Sequence, residues 1–326
     1  MFEYANRLAA QGHQVTILYS IERPFKKSKT PVWVRFLLQY IRKVKWFEFE
    51  PNIKQKLVTR ISNRTVPDAT ATVSTWWQMA YSLDKLGASK GKKINLIQDY
   101  EIWAGNEDKV RESYKLNLSH VVIAKYLSKL VLEVSGREPI HVPNSIDLEV
   151  FKITNSITQR DPKSVIMMFS NEERKGSKYG LEALNKVKEQ IYDLTVTLFS
   201  VYDRPSYIPS WMNFIKRPPN LADLYNQHAI FVTPSLGEGW ALPPAEAMAC
   251  GCAVVCTSIG GHQDYARDSE TALVVPPANI EAMVLKILTL IKDSAERCEL
   301  ATRANMYIHQ FQWDNSVAKL KSVITD

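Results

Sequence analysis

Two glutamates eight positions apart, Glu238 and Glu246, lie in the segment PSLGEGWALPPAEAMACG at residues 234–251. The segment sits between two short apolar runs, residues 229–232 and 253–255, each partly β-branched and bounded by turn residues, which is the pattern of buried parallel strands. It therefore reads as the loop and helix of a βαβ unit. Pro243 and Pro244 suit a first helical turn, where a missing N–H costs nothing, and Gly251 suits the position just past the helix end. Glu238 is thereby expected on the loop and Glu246 on the first turn of the helix. Loops at the carboxyl ends of parallel strands face the ligand crevice of open α/β sheets, and a helix N-terminus attracts anions. Carboxylates next to an anion would repel it, so the chemistry they suit is acceptance of hydrogen bonds from neutral hydroxyls, such as those of a sugar or ribose, beside phosphates. Taken singly, Glu246 also fits a partner of its helix dipole, and Glu238 a solvated loop residue.

A second group of polar side chains follows the apolar run at 165–169: Glu172, Glu173, Arg174 and Lys175, then Gly176. Arg174 and Lys175 at a strand's carboxyl end suit a diphosphate, whose charge they would neutralise as a leaving group; the alternative is a pair of solvated surface cations. In the first half, Asp99 ends the run at 94–98, with Gln98 and Glu101 as neighbouring candidates. A carboxylate there serves as a base or sugar ligand, or caps a helix. Trp76, Trp77 and Trp103 follow predicted strands and are either stacking platforms or core aromatics. No Asp-x-Asp pair stands in a suitable loop, so no metal ion is required. Cys250, Cys252, Cys256 and Cys298 imply no disulfide framework; three of them read as small apolar fillers, and a reducing cytoplasm is the default compartment.

The elements that position these groups alternate along the chain. A helix to Gln11 precedes strands at 15–19, 70–74, 94–98 and 120–124; after a polar stretch at 152–164, strands follow at 165–169, 194–199, 229–232, 253–256 and 272–275. Strand and helix alternation on both sides of a linker means two doubly wound α/β domains facing across a cleft. The chain of 326 residues suits two such domains, and 45% apolar residues support two cores. No apolar run approaches the ~20 residues of a membrane span, and no secretory signal is evident.

The net charge of +7 is uneven: residues 1–150 hold 23 Lys and Arg against 15 Asp and Glu, so the basic excess lies entirely in the first half. It concentrates at residues 23–64, where cations are interleaved with Trp33, Phe36, Tyr40, Trp46 and Phe47. Residues 31–47 suit a helix lying on an anionic membrane surface, or an amphipathic helix packed on its own domain. No nucleic-acid-binding motif accompanies the charge, so nucleic acid is not expected as a partner.

Glu238, seven residues, then Glu246, followed by AMACGCAVVCTSIGGHQDY, resembles the signature of retaining glycosyltransferases of family 4, which have the GT-B fold. HVPNSIDLEVF at 141–151 is similar to the segment that closes that family's first domain, with Ser145 where glycine is usual. ANRLAAQGHQVTIL at 5–18 resembles its first helix and second strand, and EERKGSKYGLEAL at 172–184 its donor-phosphate loop. The likeness is specific in the second half and loose between residues 20 and 95.

The resemblance implies an acceptor-side Rossmann-like domain at 1–152, a nucleotide-sugar domain at 153–310 and a C-terminal helix at 311–326 returning to the first. It implies metal-independent transfer of a hexosyl or deoxyhexosyl group, with retention and no cofactor, from a nucleotide diphosphate sugar to a cell-surface polysaccharide or lipid-linked acceptor. The donor contacts would come from Arg174, Lys175, Gly239, Trp240, Leu242 and Glu246, with Glu238 and Asp99 at the reaction centre. The family's arginine five residues before the lysine is replaced by Ser170, so Arg174 has to substitute. The chain begins inside a βαβ unit, which implies a first domain without its first strand and glycine-rich loop. That gap, with Ser170, favours a second reading: a non-catalytic or truncated homologue supporting an active partner.

Overall fold

The computed structural model describes residues 1–325 apart from 23, 24, 26–29, 42, 43 and 45. The chain forms two compact units: residues 1–123, 127–143 and 314–326 make the first, and 124–126 and 144–313 the second.

In the first unit α1 (Phe2–Ala10) ends in a turn closed by Gly12, whose φ of +88° favours glycine. β1 (Thr16–Ser20) follows, then α2 (Val32–Ile41), then β2 (Lys54–Val58), which pairs in parallel with β1. β2 was not expected from the sequence: its KQKLV is mostly polar and exposed, as on a sheet edge. A separate sheet of four parallel strands, ordered β3-β4-β5-β6, follows. Its elements are β3 (Ala71–Ser74), α3 (Trp77–Asp84), β4 (Lys92–Ile97), α4 (Glu107–Ser113), β5 (Ser119–Val122), α5 (Lys125–Ser135) and the two-residue β6 (Ile140–His141). Val66, Ala80, Leu83, Leu86 and Leu118 form a shared core on which Leu18 of β1 also packs.

A polar row crosses this sheet. Ser74, Asn95 and His120 occupy one register on β3, β4 and β5. Ser74 Oγ donates to Asn95 Oδ1 at 3.0 Å, and Asn95 Nδ2 lies 3.5 Å from His120 Nδ1. Burial, with Arg137 adding to it, pushes His120 down to about 4.

The second unit carries six parallel strands ordered β12-β11-β10-β7-β8-β9. In chain order they and their helices are β7 (Ser164–Met168), α6 (Ser177–Gln190), β8 (Thr195–Ser200), β9 (Asn213–Lys216), α7 (Leu221–Asn226), β10 (Ile230–Thr233), α8 (Leu242–Ala249), β11 (Ala253–Thr257), β12 (Leu273–Val275), α9 (Ile280–Lys292) and α10 (Ser294–Ile308). α11 (Trp313–Thr325) counts with the first unit from residue 314, where Ser316 Oγ donates to Pro143 O at 2.7 Å. The apolar strands VIMM, IFVT and AVVCT are almost wholly buried because helices cover both sheet faces. β7, β8 and β9 step outward in one direction and β10 returns to the other side of β7, so the order reverses between β7 and β10. That reversal opens a crevice at the carboxyl ends of these two strands.

The second unit starts at Asn144, so residues 152–164, expected as an interdomain linker, lie inside it. Arg160 fastens them. Its guanidinium donates to Cys250 O at 2.6 Å, Asn155 O at 2.9 Å, Asn226 Oδ1 at 3.1 Å and His228 O at 3.1 Å. A polar stretch that looks like a spacer is thus held by one buried cation that satisfies several carbonyls.

Candidate functional site

The loops that leave β7 and β10 meet at the reversal point. Leu236 N and Gly237 N donate to Arg174 O at 2.7 and 3.3 Å, joining the two loops through their backbones. Gly176, at φ +63°, links a short helical turn at 173–175 to α6. A Cβ there would lie 2.0 Å from Pro234 O, so only glycine lets the loops approach this closely. Ser170 shapes the same loop: its N–H donates to Ser177 Oγ at 2.9 Å, and its hydroxyl accepts from Glu172 N at 3.1 Å.

On this frame Glu238 meets both cations. Lys175 Nζ lies 2.9 Å from Glu238 Oε1 and 2.8 Å from Oε2. Ser235 Oγ donates to Oε1 at 2.9 Å, and Arg174 Nη1 stands 3.7 Å from Oε2. The carboxylate is 8% exposed, so its charge is compensated by these three neighbours more than by water. Arg174 also holds Glu172, Nε to Oε2, at 2.9 Å. The guanidinium of Arg174 therefore reaches the Glu238 carboxylate from four positions after Ser170, where the sequence lacks an arginine.

The backbone of Glu238 is held from behind. Tyr126 donates its hydroxyl to Glu238 O at 3.0 Å, and its ring fills the space at Gly260. A Cβ on Gly261 would come within 2.5 Å of Glu238 O and 2.6 Å of Glu238 Cβ. His262, 2% exposed, pairs its Nδ1 with Thr257 O at 2.8 Å, and burial lowers its pKa.

Glu246 lies apart from that cluster in its bonding. α8 begins at Leu242, with Ala241 as the N-cap, and has no acid in its first turn; Pro243 and Pro244 occupy that turn and Glu246, the fifth residue, falls just past it rather than on it as expected. Pro243 and Pro244 also remove two of the backbone donors that the start of α8 would otherwise offer an anion. Tyr225, fully buried at the end of α7, donates its hydroxyl to Glu246 Oε2 at 3.2 Å. Burial pushes Glu246 up to about 7, and the bond from Tyr225 works against that rise.

The other expected residues divide. Leu242 is 39% exposed at the start of α8. The Trp240 indole, expected among the donor contacts, is buried and edge-on to Tyr265 at 4.8 Å and to Phe311 at 5.6 Å, so its ring packs inside its own unit. Gly239 is buried beside it. Asp99, in the first unit, accepts from Tyr100 N at 2.9 Å and from Trp103 Nε1 at 3.1 Å, so its two oxygens shape their own loop. Glu101 accepts from Trp77 N at 2.9 Å at the start of α3, and burial lifts it to about 7. Trp77 is a core aromatic stacked on Phe25 at 5.2 Å, while Trp103 is exposed and edge-on to Trp76 at 5.8 Å. Cys250, Cys252 and Cys256 are buried free thiols whose pKa burial pushes far up, to about 12 for Cys250 and Cys252, which leaves them protonated and inert. Among the described residues no cluster of His, Cys, Asp and Glu is placed to hold a metal ion.

Sequence reasoning passed over Ser235, Tyr126 and Tyr225. Ser235 stood three positions before Glu238 in the very segment under scrutiny; Tyr126 and Tyr225 carried no local signal, because their contacts span 112 and 21 positions.

Residues 163–293 match the family model "Glycosyl transferases group 1". The chain is 30% identical over 99 residues to a D-inositol 3-phosphate glycosyltransferase of Rhodococcus opacus (30% of this chain, 22% of that protein). It is 35% identical over 108 residues to the O-antigen chain mannosyltransferase B of Escherichia coli (32% of this chain, 28% of that protein). The chain thus spans under a third of the length of these curated relatives. Among solved structures, sucrose-phosphate synthase from Thermosynechococcus elongatus superposes with a TM-score of 0.74 at 16% identity, covering 98% of this chain and 90% of that one. Anabaena HepE in complex with UDP-glucose gives 0.71 at 13% identity, covering 95% and 99%. The fold of this chain is therefore that of the GT-B glycosyltransferases, and its residues 163–293 match the group 1 glycosyl transferase domain.

Proposed function

We propose that the chain is a retaining glycosyltransferase that moves a hexosyl or deoxyhexosyl group from a nucleotide diphosphate sugar to a glycan or lipid-linked acceptor in the cytoplasm. The observation that carries this reading is the joining of Arg174, Lys175 and Glu238 at the reversal point of the second sheet, within the stretch that matches the group 1 model. Two cations at the carboxyl ends of parallel strands suit a diphosphate, and a carboxylate among them suits the hydroxyls of the attached sugar. The names of similar proteins agree in kind: a mannosyltransferase, an inositol phosphate glycosyltransferase, and a structure holding UDP-glucose.

In this reading Lys175 and Arg174 take over the diphosphate and stabilise its charge as the bond to the sugar breaks. Glu238 turns from Lys175 to the sugar, and Glu246 accepts from the ribose hydroxyls. Leu242 lines the donor and Gly239 lets it approach. The positive charge at the leaving group comes from side chains and the start of α6, not from a metal ion. Asp99 is the candidate base or sugar ligand of the first unit, once substrate competes for its bonds to Tyr100 and Trp103. Isothermal calorimetry with a panel of nucleotide sugars tests the reading: at least one binds in the micromolar range, and Lys175→Ala weakens it by roughly tenfold or more. A folded protein that binds none of them sinks it.

A further inference from the structure

Seven of the eight cations at residues 23–47, the stretch suited to a membrane surface, lie outside the described residues. The side chains around Glu238 lie inside them and are of two kinds. Lys175 and Arg174 are cations for which a diphosphate would compete, whereas Ser235 is a neutral donor, Oγ to Glu238 Oε1 at 2.9 Å. Ser235 is 1% exposed, so water does not compete for that bond. The serine is itself fixed from the strands. Thr257, fully buried as the last residue of β11, donates its hydroxyl to Ser235 O at 2.5 Å, and its own carbonyl accepts from His262 Nδ1 at 2.8 Å. Thr233 Oγ1, at the end of β10, stands 3.4 Å from Ser235 Oγ, so placed that it donates to this hydroxyl while the hydroxyl donates to Glu238. Gly261 lies against the Cβ and carbonyl of Glu238, which leaves the carboxylate end as the part of that side chain free to turn.

We infer that Ser235 is a positioning residue for the donor sugar: it keeps Oε1 of Glu238 in place when a diphosphate draws Lys175 and Arg174 away, so that Oε2 is the oxygen presented to the sugar. The inference rests on the reading of Arg174 and Lys175 as the diphosphate site. Without Ser235, a carboxylate stripped of both cations would take several rotamers or fall back on the lysine, and either loosens its hold on a sugar hydroxyl. One retained hydrogen bond removes that freedom. A hydroxyl suits the task better than a third cation would, because it has a single hydrogen to give and adds no charge for the phosphates to draw away.

The test is calorimetry on the whole chain with a panel of nucleotide sugars, each beside its own nucleoside diphosphate, UDP-glucose with UDP and GDP-mannose with GDP among them. In Ser235→Ala the ratio of the sugar-bearing ligand's affinity to that of the bare diphosphate should fall about tenfold, the worth of one hydrogen bond to a charged group. Affinity for the diphosphate itself should stay within about threefold of wild type. Ser235→Cys keeps most of the volume with only a weak donor, so it should fall with the alanine variant. Thr257→Val keeps its shape and loses the bond to Ser235; it serves if Ser235→Ala does not fold, and should lower the same ratio by a smaller factor. Equal losses for both ligands are the mark of a structural role and overturn the inference, as does an unchanged ratio, or a Ser235→Cys protein with the wild-type ratio; all three leave the diphosphate reading standing. A folded wild type that binds neither nucleotide sugars nor diphosphates overturns the inference together with that reading.

Discussion

Lys175 Nζ sits between the two carboxylate oxygens of Glu238, at 2.9 and 2.8 Å, so the cation suited to a diphosphate and the acid suited to its sugar hold each other. A diphosphate at Lys175 must therefore part this pair. The cost falls on the donor's affinity, while the pair itself keeps both side chains close to where a ligand needs them.

Removing the charge of Glu238 separates these two effects. Glu238→Gln should bind a nucleoside diphosphate without sugar several-fold more tightly than the wild type, because the competing anion is gone. The same variant should transfer sugar at least about a hundredfold more slowly, having lost a ligand of the reacting ring. Calorimetry with the diphosphate alone, followed by turnover, reads both; weaker diphosphate binding would mean that Glu238 supports the phosphates instead of opposing them.

Gly261 is a narrow support directly beneath Glu238. In Gly261→Ala the new methyl group would stand 2.5 Å from Glu238 O, and backbone cannot yield as a flexible side chain can. A loss of about 1 to 3 kcal/mol in urea unfolding is expected. Donor affinity should fall with it, because Glu238 is displaced from Lys175 and Ser235. Wild-type stability in this variant would show that the loop has room the structure denies it.

The proposed ribose contact has a pH signature. Burial moves Glu246 from an ordinary value near 4.5 to about 7, and only the ionised form accepts from two hydroxyls. Nucleotide affinity should therefore rise as pH increases through about 7, and the dependence should flatten in Glu246→Gln. Tyr225→Phe removes the hydroxyl bond that holds this pKa down, so the midpoint should move upward. For stability the sign is opposite: a raised carboxyl contributes most below 4.5 and loses that contribution as pH climbs through about 7. Fluorescence titrations of nucleotide binding between pH 6 and 8 distinguish the three proteins.

His120 gives the reverse stability profile. Held near 4 in the folded chain and near 6.5 when unfolded, it stabilises fully above 6.5 and loses that contribution as pH falls toward 4. The stability gap between the wild type and His120→Gln should narrow by about 2 kcal/mol from pH 7 to pH 4.5, because glutamine takes up no proton. Parallel urea titrations at the two pH values suffice, and a constant gap would remove His120 from the acid response.

The local sequence determined what depends on neighbouring residues. Apolar runs such as IFVT and AVVCT determined the buried parallel strands, prolines followed by Gly251 bracketed α8, and the order of strands and helices determined two α/β units. The glutamates and cations of the second unit were legible because glycine, proline and charge stand at fixed spacing around them. Tertiary structure alone decided how those residues pair. Lys175 and Glu238 are 63 positions apart, and they meet because the strand order reverses between β7 and β10. It also decided that Trp240 is spent on packing against Tyr265 and Phe311, that Arg160 turns an apparent linker into part of the second unit, and that Tyr225 reaches Glu246. Each of these is a contact across the chain, and periodicity carries no information about which distant side chain fills a given space.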